Sequence, residues 1–241
     1  MPQLNVGLVG FGLAGRTLHA PLIVASGMRI AAVVTRQNEA VRESFPEAQV
    51  KSSIEALFEV QPLDLVVVVS PNRWHYAQGL LALQAGKHVV VDKPLATTAA
   101  EGAALAQAAG RAGRKLAVFH NRRWDSDFLT MRALLEAGTL ASFRKSGIDT
   151  QEAQLKAGLP PTDRRFGLEP QTQWGRLTVG ATAHAERVEP KRGVWLEFYR
   201  QMRLAIENDA PVPVTAGEAC GVLHIIESAR QSAAQRRVVE L

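Results

Sequence analysis

Leu4-Asn5-Val6-Gly7-Leu8-Val9-Gly10-Phe11-Gly12-Leu13-Ala14-Gly15 is an apolar run followed by a glycine triplet. Residues 4–9 read as a buried strand. Gly10 then permits a tight turn, Gly12 lets the backbone approach a pyrophosphate, and Gly15 lets the next helix pack against the sheet. A helix over residues 14–25 would aim its unsatisfied N–H groups and positive dipole end at the phosphates. A glycine-rich turn alone is also an ordinary loop, so the surrounding pattern decides.

That pattern alternates. Residues 28–35 are apolar and rich in β-branched side chains, 39–45 are helical until Pro46, 53–60 read as helix and 63–70 as strand. Val66, Val67, Val68 and Val69 suit a central strand of a parallel sheet, covered on both faces by helices. Residues 74–85 form the next expected helix, ended by Gly86, then 88–91 a strand, 98–112 a helix and 115–119 a strand. Thr98-x-x-Glu101 has the form of a capping box. Helices between strands in this rhythm give right-handed βαβ crossovers and a doubly wound parallel sheet. The fold expected is therefore α/β, with a Rossmann dinucleotide-binding domain over 1–120 and a shortened α+β domain over 121–241.

An NAD enzyme usually places Asp or Glu about 20 residues past the glycines, to hold the ribose 2′-hydroxyl. Here the second strand ends Val34-Thr35-Arg36, and no acid comes before Glu39. A hydroxyl and a guanidinium suit a 2′-phosphate, which arginine grips with two charge-assisted bonds. NADP is expected, with NAD left open and a solvated loop arginine the alternative for Arg36.

Composition fits a globular chain: 241 residues, 46% hydrophobic, suffice for one large or two modest domains. The valine run is too short to span a bilayer, and the N-terminus lacks the basic start and cleavage site of a signal peptide. No membrane partner is expected. The single cysteine, Cys220, excludes an internal disulfide, fits a reducing cytoplasm and reads as a helix-face residue, so a cytoplasmic location is expected. The net charge of +5 is scattered among acids without a dense basic run, so no nucleic-acid partner is expected. Six histidines without metal-ligand spacing predict no metal site.

Ligands of open parallel sheets bind outside the carboxyl ends of the strands. Polar groups stand at three such ends: Ser70-Pro71-Asn72 with His75, then Asp92-Lys93-Pro94, then His120-Asn121-Arg122-Arg123. Lys93 beside a nicotinamide can hydrogen-bond a reacting hydroxyl and help move its proton, which makes it the catalytic candidate. Cofactor-binding candidates are the loop Gly10, Phe11, Gly12, Leu13, Ala14 and Gly15, followed by Thr35 and Arg36. Ser70, Pro71, Asn72, His75, Asp92, Lys93, Pro94 and Asn121 complete the set. His75, in the first turn of a helix, reads equally well as a cap.

Gly7-Leu8-Val9-Gly10-Phe11-Gly12, Ser70-Pro71-Asn72 with His75, Ala85-Gly86-Lys87-His88-Val89-Val90-Val91-Asp92-Lys93-Pro94-Leu95 and His120-Asn121-Arg122-Arg123-Trp124-Asp125 together resemble the Gfo/Idh/MocA oxidoreductases. Within that family the resemblance is to the NADP-dependent scyllo-inositol dehydrogenase-like branch. Asp92-Lys93-Pro94 stands where the family usually has Glu-Lys-Pro. The resemblance implies that Lys93 is a catalytic group that also contacts the nicotinamide ribose. It further implies reversible hydride transfer between NADP and a secondary alcohol of a sugar or cyclitol, with such a polyol as the small-molecule partner.

The likeness breaks after the helix expected over 126–138. Family members continue into a long, mostly antiparallel sheet domain that supplies an Asp and a His to complete the catalytic set. Here Leu140 is followed at once by Ala141-Ser142-Phe143-Arg144-Lys145-Ser146-Gly147, which resembles a segment found much later in that domain. Most of its early part is absent. No Asp-x-Gly-x-x-His-like motif follows Gly138, and His184 does not match the catalytic histidine. A second reading follows: a dinucleotide-binding but catalytically impaired relative, either a pseudoenzyme or a deletion product.

Beyond the break, Trp195, Phe198, Tyr199, Met202 and Ile206 fall at helical spacing and read as core, and Thr215-x-x-Glu218 is a capping box opening a helix to about residue 234. Residues 158–180, rich in Pro, Gly and charge, read as a loop. Arg122, Arg123 and Asp125 fit either a polyol or a salt-bridged turn. Loss of strands leaves sheet edges exposed, which favours association or instability, so a homo-oligomer stays open.

Overall fold

The computed structural model describes residues 3–139, 142–145, 147–178 and 185–240; the Leu140-Ala141 junction, Ser146 and His184 lie outside them. The chain forms two compact units, Met1–His120 with Arg200–Leu241, and Asn121–Tyr199.

Six parallel strands build the first unit: β1 (Asn5–Val9), β2 (Arg29–Val34), β3 (Gln49–Lys51), β4 (Leu65–Val68), β5 (His88–Asp92) and β6 (Leu116–Phe119). Their order is β3-β2-β1-β4-β5-β6, the doubly wound arrangement in which the sequence of strands reverses between β1 and β4. β4 is buried along its whole length, with Val67 beside Leu8 on one side and Val90 on the other. The valine run is thus the middle of the sheet, where both faces need apolar cover. That cover comes from a π-helical turn (Ala14–His19) running into α1 (Ala20–Ala25), then α2 (Asn38–Ser44), α3 (Ile54–Leu57), α4 (His75–Gln84) and α5 (Ala99–Ala112).

Two local expectations change. The helix expected over 53–60 shrinks to the four residues of α3: Ser53 caps it by accepting from Ala56 N at 3.2 Å, and the Phe58 N–H already bonds back to Glu55 O in a tightened last turn. At α5 only half of the capping box forms. Thr98 accepts from Glu101 N at 3.2 Å, but the Glu101 carboxylate accepts from the N–H and hydroxyl of Thr97, one residue further out.

The second unit contains α6 (Ser126–Glu136), β7 (Ser142–Arg144), α7 (Thr150–Lys156), β8 (Gly175–Thr178) and β9 (Ala185–Val188), the strands forming an antiparallel sheet in the order β7-β8-β9. Its core gathers Trp124, Leu155, Phe166, Leu177, Trp195, Phe198 and Tyr199, with Trp124 edge-on to Phe198 at 5.9 Å. The 158–180 stretch, read as a loop, therefore ends in a strand. β8 buries Gly175 and Leu177 and turns Arg176 outward, a period-2 pattern too brief to stand out among its Pro and Gly neighbours.

The chain then passes through α8 (Leu196–Glu207) to α9 (Ala216–Gln235), whose Thr215–Glu218 capping box is complete. α9 lies on α5. A Cβ at Gly102 of α5 would come within 2.8 Å of Cys220 Sγ and 3.4 Å of Leu223, so the missing side chain is what lets the helices approach. The Ala99 N–H at the start of α5 donates to Glu227 Oε1 at 2.8 Å. The Val118 N–H donates to Val214 O at 3.2 Å, covering the outer edge of β6. Residues 200–241 consequently cluster with the parallel sheet, whereas the sequence reading placed all of 121–241 in one second domain. Among the described residues no helix is long and apolar enough to cross a membrane.

Candidate active site

The carboxyl ends of β1, β2, β4 and β5 carry most of the residues singled out in the sequence. At the end of β1, Gly10 takes φ +104, and its N–H donates to Val34 O at 3.0 Å, tying the loop to the end of β2. Phe11 points into the core, 1% exposed and edge-on to Phe45 at 6.1 Å, so only its backbone faces outward. Gly15 is buried, and a Cβ there would meet Gly10 O at 2.3 Å; the helix can sit this close only without a side chain. Gly12 is different: a Cβ there would meet nothing within 4 Å. Protein packing does not demand a glycine at that position, whereas a ligand lying against the backbone would. Ala14 begins the helical turn, and Leu13 beside it is 65% exposed. Open space at Gly12 and N–H groups at a helix start fit the pyrophosphate of a dinucleotide.

Beyond β2 opens a cavity of about 590 Å³, lined by Thr35, Arg36, Asn38, Arg42, Lys51 and Ser52 among others. None of its described lining residues is acidic. Lys51 and Ser52 were not singled out in the sequence, because β3 spans three residues and shows no periodicity of its own, and Arg42 was not, because it is one charged residue among several on α2.

After β4, Ser70 Oγ donates to Gln78 Oε1 at 2.6 Å, while Pro71 precedes a 3-10 turn over Asn72–Trp74. His75 is 1% exposed, with Nδ1 2.7 Å from Pro94 O and Nε2 2.7 Å from Ser70 O. A neutral ring donates to only one of these carbonyls at a time. The ring braces the turn after β5 against the one after β4, in keeping with a structural part for His75.

At the end of β5 the Lys93 N–H donates to Asp92 Oδ1 at 2.8 Å. Lys93 is exposed, and among the described residues no hydrogen bond or ion pair holds its ammonium. Beneath this turn lies His19, fully buried, its Nε2 3.7 Å from Asp92 Oδ1 and its ring 4.1 Å from that of Phe119. Burial opposes a charge on Asp92, but the His19 ring, the Lys93 N–H and the Lys93 ammonium outweigh it and hold the carboxyl below its usual range. His19 carries no motif in the sequence beyond its place on the helix after the glycines.

Asn121 opens the second unit, 8% exposed, in a 3-10 turn over Asn121–Trp124. Of the two readings for the residues after it, the structure shows the salt-bridged turn for Arg122 and Asp125. Arg122 reaches Asp125 at 3.3 Å and Glu152 at 2.9 Å, with its guanidinium 5.1 Å from the centre of the Trp195 ring. Trp195 Nε1 donates to Asp125 Oδ1 at 2.6 Å. Burial, helped by nearby Asp149 and resisted by Trp195 and Arg122, raises the Asp125 carboxyl from 3.8 to about 6. A raised carboxyl favours the native state in acid and loses that contribution as pH rises from 3.8 through about 6. Asp125→Asn does not ionise, so its stability relative to wild type should rise by about 1–2 kcal/mol between pH 4 and pH 7.5, after solvent screening. Thermal unfolding at the two pH values checks this; a pH-independent difference would contradict it.

Residues 4–120 match the GFO_IDH_MocA family profile, described as an oxidoreductase family with an NAD-binding Rossmann fold. The chain is 28% identical to the NADP(+)-linked scyllo-inositol 2-dehydrogenase IolW of Bacillus subtilis, the alignment reaching 99% of the chain and 96% of the relative. That alignment has 343 positions against 241 residues in the chain, so at least 102 positions have no counterpart here. Against the oxidoreductase YdgJ of Escherichia coli identity is 44% over 157 residues, 64% of the chain but 45% of the relative. The solved structure of the Bacillus subtilis oxidoreductase yvaA superposes with a TM-score of 0.94 at 28% identity, over 99% of this chain and 100% of that one.

Proposed function

Because the chain belongs to the Gfo/Idh/MocA oxidoreductase family, we propose that it transfers a hydride between NADP and a secondary alcohol of a sugar or cyclitol, with Lys93 handling the proton. The cavity at the end of β2 carries the cofactor part of this reading: it offers cations and hydroxyls where an NAD site would offer a carboxylate. The glycine loop would hold the pyrophosphate, and Arg36 with Thr35 the 2′-phosphate. Relatives support the substrate class, among them the inositol dehydrogenase of Bacillus subtilis and a D-glucoside 3-dehydrogenase of Escherichia coli, 29% identical over 161 residues. The comparisons lend no support to the reading as an impaired relative.

Bound at this site, the nicotinamide would supply the hydride acceptor. In the oxidising direction the carbinol C–H bond breaks with its electron pair leaving as hydride, the O–H proton passes to the lone pair of Lys93 Nζ as a neutral amine, which becomes the ammonium, and a C=O bond forms. In the reducing direction that ammonium returns the proton to the forming hydroxyl. Lys93 suits that part because, among the described residues, no hydrogen bond or ion pair ties up its side-chain nitrogen, and its backbone N–H is held by Asp92. Positioned proton transfer contributes about 10²–10⁴-fold to rate. Lys93→Ala should therefore cut polyol-dependent NADPH formation by about 10²-fold or more while leaving NADPH binding within a few fold. A chain that binds NADPH but turns over no polyol would overturn the hydride-transfer reading. One that binds neither dinucleotide would overturn the cofactor reading as well.

A further inference from the structure

We propose that Arg42 and Lys51 join Arg36 in a three-cation cradle for a phosphate monoester, and that these two residues set the preference for a 2′-phosphorylated dinucleotide. The inference rests on the reading of the glycine loop as a dinucleotide site.

Three elements converge on the cavity. Arg36 stands in the turn after β2, Arg42 in the last turn of α2, and Lys51 at the end of β3. Lys51 is placed firmly: it pairs in register with Val34, and its carbonyl accepts from the Thr35 N–H at 3.3 Å. A residue two strands away from the glycine loop is thereby fixed beside the turn that would carry the ribose. Thr35 Oγ1 accepts from the Gln37 N–H at 3.0 Å, which holds the turn and leaves the hydroxyl hydrogen to donate outward.

Charge argues the same way. Among the described residues Arg36, Arg42 and Lys51 make no ion pair and no side-chain hydrogen bond, although they line one cavity. Three like charges around a shared space repel one another, and an anion in that space turns the repulsion into attraction. A neutral 2′-hydroxyl gains little from three cations, whereas a phosphate dianion gains a charge-assisted bond from each. Arginine adds a planar fork and lysine a point charge, and either places a positive charge beside the shared space.

The chemistry recognised is a phosphate monoester, and free phosphate shares it. Dissociation constants for NADPH and NADH, read from nicotinamide fluorescence on the full chain, would be compared for wild type, Arg36→Ala, Arg42→Ala, Lys51→Ala, the Arg42→Ala/Lys51→Ala pair and Lys51→Arg. Arg42→Ala and Lys51→Ala should each weaken NADPH about 10-fold and together about 100-fold, with NADH within about twofold throughout. Unchanged NADH binding certifies that each variant is folded. Lys51→Arg should recover most of the loss. Should Arg36→Ala alone collapse the preference while Arg42→Ala and Lys51→Ala leave it intact, the inference falls and the NADP reading survives. A wild-type preference for NADH removes both, as does binding of neither dinucleotide. Inorganic phosphate should compete only in the millimolar range; submillimolar displacement that disappears in Lys51→Ala would assign the cradle to free phosphate and overturn the 2′-phosphate assignment.

Discussion

Gly10→Ala is expected to destabilise the first unit by about 3 kcal/mol or more, whereas Gly12→Ala should leave stability unchanged and weaken dinucleotide binding by about 10–100-fold. The two glycines lie two residues apart in one loop, yet the structure gives them opposite reasons for lacking a side chain. Gly10 sits at φ +104, where an L residue is strained, and its added Cβ would stand 2.7 Å from Val69 O and 2.9 Å from Val69 C. Neither partner can retreat. Gly10 N is bonded to Val34 O at 3.0 Å, and Val69 N to Val9 O at 2.8 Å, so the collision falls between segments anchored to β1, β2 and β4. At Gly12 the added methyl meets nothing within 4 Å and the backbone is unstrained, so the folded chain accommodates alanine freely. That methyl occupies the space a pyrophosphate needs for close approach, and crowding of this kind should weaken NADPH by about 10–100-fold. Thermal unfolding and nicotinamide fluorescence on both variants separate the effects. Normal binding by Gly12→Ala would show that the open space beside this residue does not belong to the ligand.

The contrast bears on how much a sequence discloses. Glycine spacing after an apolar strand was readable because each position answers a different geometric demand, and the four valines marked the sheet centre because a doubly covered strand tolerates no polar face. What escaped reading was short or relational. β3 has three residues and β8 four, too few for alternation to register, and with β3 went Lys51 and the wider cationic cavity. Nothing local to Thr215–Gln235 says that this helix returns to α5; that information lies in the fit of Cys220 and Leu223 against Gly102, 118 and 121 positions away. His75 was visible as a polar group at a strand end, but its two carbonyl partners at Ser70 and Pro94 come from different turns. Asp125 likewise owes its raised carboxyl to burial and to nearby Asp149, against the pull of Trp195 and Arg122, a setting that only the folded second unit assembles.

A buried ion pair in that unit carries the other large expectation: Glu169→Ala should cost about 3–5 kcal/mol. Lys145 Nζ lies 2.5 Å from Glu169 Oε1, the two side chains being 5% and 0% exposed. Ser126 Oγ donates to the same oxygen at 2.5 Å, so the pair links the end of β7, the start of α6 and the turn before β8. Without Glu169 the ammonium keeps, among the described residues, a long bond to Ser126 Oγ at 3.5 Å and Asp127 at 3.8 Å, and a buried charge with such distant partners is what makes such truncations severe. The pair itself is imperfectly compensated, because Glu169 Oε2 is buried without a hydrogen-bond partner among the described residues. Replacing both ends with apolar side chains of similar size, Lys145→Met with Glu169→Leu, should therefore recover most of the loss. Three of the four tryptophans, Trp124, Trp174 and Trp195, belong to this unit, so tryptophan fluorescence during denaturant unfolding reports on it directly. A double variant as unstable as Glu169→Ala would mean that the ion pair adds net stability, and that the cost of stranding a charge does not explain the single substitution.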